Sequence, residues 1–255
     1  MNNDIKPPVK PKARFGMFSV DCLSRKELVE RALEDCSRDV RPQLVFDVNG
    51  HALSLARTDH SYRDAVSQAD IVHADGGFLV TLSKHLGLPK IPERSATTDM
   101  IHDFAASFSE TSHGFYLLGG EERVNEQCVN ILQEQYPRLK ISGRRNGFFN
   151  SDDEEHIVEQ INESGASILW VGLGKPKEQA FCIRWRHKLN VRWVITCGGC
   201  YNYITGDYGR APAWMQKLNM EWLYRMATEP RKLFWRYAIT SPHALWIALT
   251  DHSAK

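Results

Sequence analysis

Asp70-Ile71-Val72-His73-Ala74-Asp75-Gly76-Gly77 is the stretch whose residue types best fit chemistry. A short apolar run ends in a carboxylate, and two glycines follow before a helical pattern begins at Phe78. In an open parallel sheet, reactive side chains sit just past the carboxyl ends of strands. Asp75 takes that place, and Gly76 and Gly77 let a substrate approach the main chain closely. A helix N-cap aspartate in a β-to-α turn has the same local pattern. His73 has the chemistry of a base, but a strand histidine reads more simply as a satisfied core residue.

Other groups compete for a role. Asp47-Val48-Asn49 ends a second apolar run and is similar to the acidic triplet that holds a divalent metal on a diphosphate, but it lacks the second carboxylate. Gly172-Leu173-Gly174-Lys175-Pro176-Lys177 begins like a dinucleotide fingerprint, yet Lys177 holds the third glycine's place and Pro176 stands where the helix should open. Close approach of its amides to an anion is still compatible with that loop. Gly119-Gly120 is a second turn of this kind. Cys197-Gly198-Gly199-Cys200 has no second CxxC and no histidine spacing to complete a zinc site, so small-residue packing is its plain reading.

From Arg210 to Tyr237, Trp214, Leu218, Met220, Trp222, Leu223, Met226, Leu233, Phe234 and Trp235 alternate with Arg210, Lys217, Arg225, Arg231, Lys232 and Arg236. Aromatics among cations suit an anionic membrane surface, and arginines suit phosphates. A helix docked by its aromatics, with a solvated basic rim, has the same composition.

The elements that must position these groups follow from patterning. A chain of 255 residues with 42% apolar and 25% charged residues can bury a large core. Its net charge of +1 gives no reason to expect nucleic acid. Six scattered cysteines and no recognisable signal peptide suggest a reducing cytoplasmic setting. The run from Tyr237 to Thr250, 14 residues without an acid or a Lys or Arg, is too short to span a bilayer, which takes about 20.

Residues 1–14 read as a flexible, proline-rich lead-in, 15–206 as an α/β domain and 207–255 as a basic, aromatic helical appendage. Strands are expected at Phe15–Val20, Gln43–Val48, from Ile71, and at Gly114–Leu118, Leu139–Gly143, Ser167–Gly172 and Arg192–Thr196. Helices are expected between them, including one from Ser24 with a capping box to Glu27, one at 52–65, one capped by Thr98, and one with a Ser151–Glu154 box. Alternation of apolar strands with helices predicts an α/β fold with a mostly parallel sheet covered on both faces.

Several blocks in shared order resemble the WecG/TagA/CpsF family of bacterial glycosyltransferases (glycosyltransferase family 26). They are His73-Ala74-Asp75-Gly76, Arg94 through Thr98-Asp99, Leu118-Gly119-Gly120, Gly143 through Phe149, and the stretch from Gly206 through Tyr237 with Arg210-Ala211-Pro212, Glu221 through Arg225, and Glu229-Pro230-Arg231. The resemblance implies a Rossmann-like α/β core and an inverting, metal-independent transferase. It would move a sugar from a UDP-sugar to a polyprenyl-diphosphate-linked acceptor in exopolysaccharide, capsule or cell-wall glycopolymer synthesis.

It also implies a C-terminal appendage that reaches the membrane, hence a peripheral location on the inner face of the plasma membrane, with no cofactor. By position, Asp75 takes the general-base role. Asn49, Gly76, Gly119, Gly120, Gly174, Glu178, Gln179, Arg210, Arg225 and Arg231 fall to the donor and its diphosphate, and Arg94, Thr98 and Asp99 to the acceptor pocket.

Four positions depart from the family pattern. Asp47 replaces a hydroxyl residue, Glu178-Gln179 exchanges an acid and an amide, Thr97 replaces a glycine, and Asn202 replaces an aspartate. If Asp47 and Asp75 lie close, one should titrate upward and the pair should share the acid–base role. A nucleotide-sugar-binding module without turnover and a nucleotide-dependent oxidoreductase are the competing readings. A homo-oligomer is compatible with all three.

Overall fold

The computed structural model describes residues 11–212 and, beyond them, 214–215, 223–224, 227, 242–247, 250 and 252–254. A hairpin of β1 (Lys12–Phe15) and β2 (Phe18–Asp21) opens the chain, followed by α1 (Arg25–Cys36) and β3 (Gln43–Val48). Two helices, α2 (Gly50–Thr58) and α3 (His60–Ser67), lead to β4 (Ile71–Ala74) and α4 (Gly77–His85). Next come α5 (Thr97–Phe108), β5 (Phe115–Gly119), α6 (Glu122–Gln135), β6 (Ile141–Arg145) and α7 (Glu154–Glu163). The domain closes with β7 (Ile168–Gly172), α8 (Lys177–Trp185), β8 (Trp193–Thr196) and α9 (Cys200–Ile204).

Six strands form one sheet in the order β4-β3-β8-β7-β5-β6, and each pairing is parallel. Five of the six strands are largely apolar because both faces are covered, whereas the edge strand β6, Ile141-Ser142-Gly143-Arg144-Arg145, is only half-buried. One face packs Leu53, Tyr62, Val66, Leu79, Ile157, Ile161 and Phe181 from α2, α3, α4, α7 and α8. The other packs Leu28, Ile101, Phe104, Phe108, Cys128 and Leu132 from α1, α5 and α6. The expected α/β fold is the one observed. All strands point the same way, so the loops after β3, β4, β5, β7 and β8 gather at a single edge.

Local boundaries differ from expectation in instructive ways. The run Phe15–Val20 is a hairpin rather than one strand, turning at Gly16 with φ +57°. The lead-in gives way to β1 already at Lys12. The helix expected at 52–65 breaks at Asp59, whose extended backbone and carboxylate cap α3 at the Tyr62 amide, 2.9 Å away. The Ser24–Glu27 box is present. The second box is formed one residue early, by Asn150 and Asp153.

Thr98 does not cap α5: the N-cap is Ala96, which offers no side-chain acceptor. In the expected helical appendage, residues 242–247 are helical, with Ala244 and Ile247 buried, and His243 Nδ1 lies 3.0 Å from Ser54 Oγ. Its end is a strand, β9 (His252–Ala254), antiparallel to β1.

Candidate active site

The ends of β3 and β4 place Asn49 beside Asp75. Asp47 and His73 are paired in register, as are Val48 and Ala74. Side chains alternate along a strand, so Asp47 and Asn49 share a face with His73 and Asp75. The Asn49 oxygen caps α2 by accepting from the Ala52 amide at 3.1 Å, which turns its amide nitrogen to Asp75 Oδ2 at 3.3 Å. Asp75 Oδ1 accepts from the Thr97 amide at 3.1 Å. Asp75 therefore does cap a helix, but α5 rather than the α4 that follows it. Gly76, the N-cap of α4, sits against Asn49: a Cβ there would lie in van der Waals contact, 3.4 Å, with that of Asn49.

Beneath these two residues lies a cluster of charges sealed from solvent. Lys175 pairs with Asp47 Oδ2, and the Thr196 hydroxyl donates to Asp47 Oδ1 at 3.1 Å. Burial pushes the Asp47 pKa up, but Lys175, with help from His73 and Thr196, outweighs it and holds the group below its ordinary value. Asp75 goes the other way: burial and the neighbouring Asp47 charge raise it, against the pull of Lys175 and His73. His73 is fully buried, and burial pushes its pKa down despite the two carboxylates. Neither ring nitrogen has a well-formed hydrogen bond, although the Ser95 backbone lies beside the ring. The expectation of a satisfied core histidine is thus half met.

The two carboxylates are adjacent, and one does titrate upward, as anticipated. They are not equivalent, however. Each has both oxygens engaged, but Asp47 is 3% exposed whereas Asp75 is partly open at the sheet edge. The cation seated on Asp47 is the Lys175 ammonium, which takes the place the acidic-triplet reading gave to a metal.

Glu178 and Gln179 are both buried. Glu178 Oε2 accepts from the amides of Gly174 at 3.0 Å and Gly198 at 3.1 Å, binding the loop after β7 to the loop after β8. Burial raises its pKa to about 7. The Gly174 amide is thus committed to the protein's own carboxylate. Gly119 and Gly120 are likewise explained by packing: the Gly120 amide donates to the Gly172 carbonyl at 3.1 Å, and a Cβ on Gly119 would lie 2.2 Å from that oxygen.

Asp99, in the first turn of α5, collects three arginines. Arg210 Nη1 is 2.7 Å from it, Arg94 Nη2 3.3 Å and Arg25 Nη1 3.8 Å. Burial alone would raise its pKa, but Arg210, Arg94 and Arg25 carry it below the ordinary value. Arg94 and Asp99 come together as their block implies, and Thr98, partly exposed, lies between Asp99 and the α5 amide held by Asp75. Arg225 and Arg231 lie outside the described residues.

Sequence reasoning missed Lys175, Thr196 and Arg25. Lys175 stood at an unassigned position of the broken glycine fingerprint, and its partner lies 128 positions away.

Comparison with known proteins bears on this arrangement. The model of the glycosyl transferase WecG/TagA/CpsF family matches residues 14–255. The chain belongs to that family. Two curated relatives carry the name N-acetylglucosaminyldiphosphoundecaprenol N-acetyl-beta-D-mannosaminyltransferase. The one from Bacillus subtilis (strain 168) is 26% identical over 212 residues, covering 83% of this chain and 81% of its own. The one from Bacillus spizizenii is 25% identical over 193 residues, covering 76% and 73%.

Membership in the WecG/TagA/CpsF family makes the chain a member of a glycosyltransferase family and leaves the oxidoreductase reading without support. Cys197 and Cys200 are buried and unbridged, as small-residue packing requires. Among the described residues, no helix is long and apolar enough to cross a membrane.

Proposed function

We propose that this WecG/TagA/CpsF member is an inverting transferase that moves a sugar from a UDP-sugar to a hydroxyl of a polyprenyl-diphosphate-linked acceptor. The carrying observation is Asp75, a partly open carboxylate at the carboxyl edge of the sheet whose proton affinity is raised by burial and by Asp47. Such a group accepts a hydroxyl proton more readily than an ordinary aspartate. As the acceptor oxygen attacks the anomeric carbon, its proton passes to Asp75. The bond to the donor diphosphate breaks with its electron pair leaving on the phosphate oxygen.

Asn49 steadies Asp75 and faces the same opening. Arg210, Arg94 and Arg25, gathered on Asp99 in the α5 turn that holds Asp75, are the guanidiniums offered to the leaving diphosphate. Arg225 and Arg231 join them on the strength of the sequence blocks. The name of the two relatives supports a lipid-diphosphate N-acetylglucosamine as acceptor and an N-acetylmannosamine-type donor.

The cationic, aromatic stretch after Arg210 supports contact with the anionic inner face of the plasma membrane. Exposed Trp214 and Trp246 add to that reading.

Turnover of a panel of UDP-sugars on a lipid-diphosphate acceptor tests the reading. Asp75→Asn should lose about 10²–10⁴-fold in kcat while keeping its fold. Full turnover in that variant removes Asp75 from the chemistry. Binding of UDP-sugars with no transfer to any acceptor would instead mark a module without turnover.

A further inference from the structure

We infer that Asp47 and Lys175 form a buried positioning pair that fixes a negative charge under Asp75 and so sets the strength of the base. This rests on the reading of Asp75 as the base, and it changes what Asp47 does. Its departure from the family pattern made Asp47 a candidate second acid–base group. Its geometry does not permit that role. Its side chain is only 3% exposed and is locked between the Thr196 hydroxyl and the Lys175 ammonium, whereas Asp75 is partly open, so an acceptor hydroxyl at the sheet edge meets Asp75 and not Asp47.

A carboxylate locked in this way still acts through space. It lies on the strand next to Asp75 and on the same face, two positions back in register. In a dry interior, a fixed anion on a neighbouring strand disfavours a second anion and raises its affinity for a proton. Lys175 is what keeps Asp47 charged. Without that ammonium, two buried acids would share a proton and neither would be a defined base.

The other groups facing Asp75 do not supply this charge. Burial lowers the proton affinity of His73 on β4, and any positive charge there would favour the ionised Asp75 rather than oppose it. Asn49 and the Thr97 amide donate hydrogen bonds, which favour the ionised form. The Cys200 thiol of α9 stays neutral through its hydrogen bond with Cys197 and its burial. Tyr62 of α3 and Glu178 of α8 face Lys175, with Glu178 Oε1 at 4.0 Å from Nζ. Asp47 is therefore the anion that counts, and Lys175 is the cation that secures it.

The test reads Asp75 directly by carboxyl ¹³C titration of the free protein, assigned by difference from Asp75→Asn, and separately by the pH dependence of kcat. Asp47→Asn should move the Asp75 midpoint and the acidic limb of the rate profile down by about one pH unit. The weakened base should cost about threefold to tenfold at the plateau. Asp47→Glu, which keeps the charge, should keep the midpoint high. Asp47→Asn/Lys175→Met removes both charges and should fall between.

Should Asp47→Asn fail to fold with Lys175 unpaired, comparison of the double variant with Asp47→Glu remains decisive. Equal Asp75 midpoints in those two, or an unmoved midpoint in Asp47→Asn, overturn the proposal. The titration needs no turnover, so it stands or falls apart from the assignment of Asp75 as base, which Asp75→Asn tests.

Discussion

Arg210 reaches back 111 positions to Asp99, with Nη1 and Oδ1 2.7 Å apart. The contact ties the start of the C-terminal segment to the first turn of α5, the same turn whose Thr97 amide holds Asp75. A diphosphate entering among Arg210, Arg94 and Arg25 meets guanidiniums whose charge Asp99 offsets only in part, with Arg25 also paired to Glu93 and Asp103.

Asp99→Asn should therefore do two things at once. Arg210 loses its anchor, so amide exchange near residues 207–212 should speed up. The arginines, released from a carboxylate, should bind an anion such as pyrophosphate more tightly. Unchanged exchange protection there would show that Arg210 is held by other contacts. The sign with pH follows from the lowered Asp99 pKa. Its stabilising contribution is present above the ordinary carboxylate range and is lost as pH falls through the folded-state value.

Glu178 gives the opposite sign. Its pKa rises from 4.5 to about 7 on folding, so the folded state favours the protonated acid. That contribution is full below 4.5 and disappears as pH climbs through about 7. The thermal midpoint of the wild type, measured against Glu178→Gln, should decline across this window and level off above it. A constant difference between the two proteins would mean that Glu178 stays ionised throughout.

Two glycines separate packing from loop geometry. At Gly119, φ is +130° and an added Cβ would meet the Gly172 carbonyl at 2.2 Å, so Gly119→Ala should cost about 3 kcal/mol or more in urea unfolding. At Gly174, φ is +76° with open space around the position, so Gly174→Ala should cost only about 1 kcal/mol. Equal losses would show that the close approach of β5 to β7 relaxes freely.

The strand set was legible in the sequence because parallel strands buried on both faces read as apolar runs, and Gln43–Val48 is observed as expected. Asp75 at a strand end was legible for the same reason. The break at Asp59 was not, since the helical period runs through it and only the carboxylate's bond to the Tyr62 amide marks the stop. Nor was the hairpin at Gly16, where one left-handed glycine folds an apolar run back on itself.

The charge cluster was illegible for a different reason. Asp47, Lys175 and Thr196 are joined by pairings between β3, β8 and the loop after β7, and local sequence carries no record of who faces whom across a sheet.

The Glu178 carboxylate has a mechanical consequence. One oxygen holds the amides of Gly174 and Gly198, which belong to loops leaving neighbouring strands. The two loops are riveted at a single point, so neither can swing without dragging the other or shearing the joint. Lys175 lies on one of these loops, one residue beyond the rivet. A ligand that pushes on the far loop near Gly198 would thus tug the ammonium under Asp75. The floor of the site would respond as a single plate rather than as separate fingers.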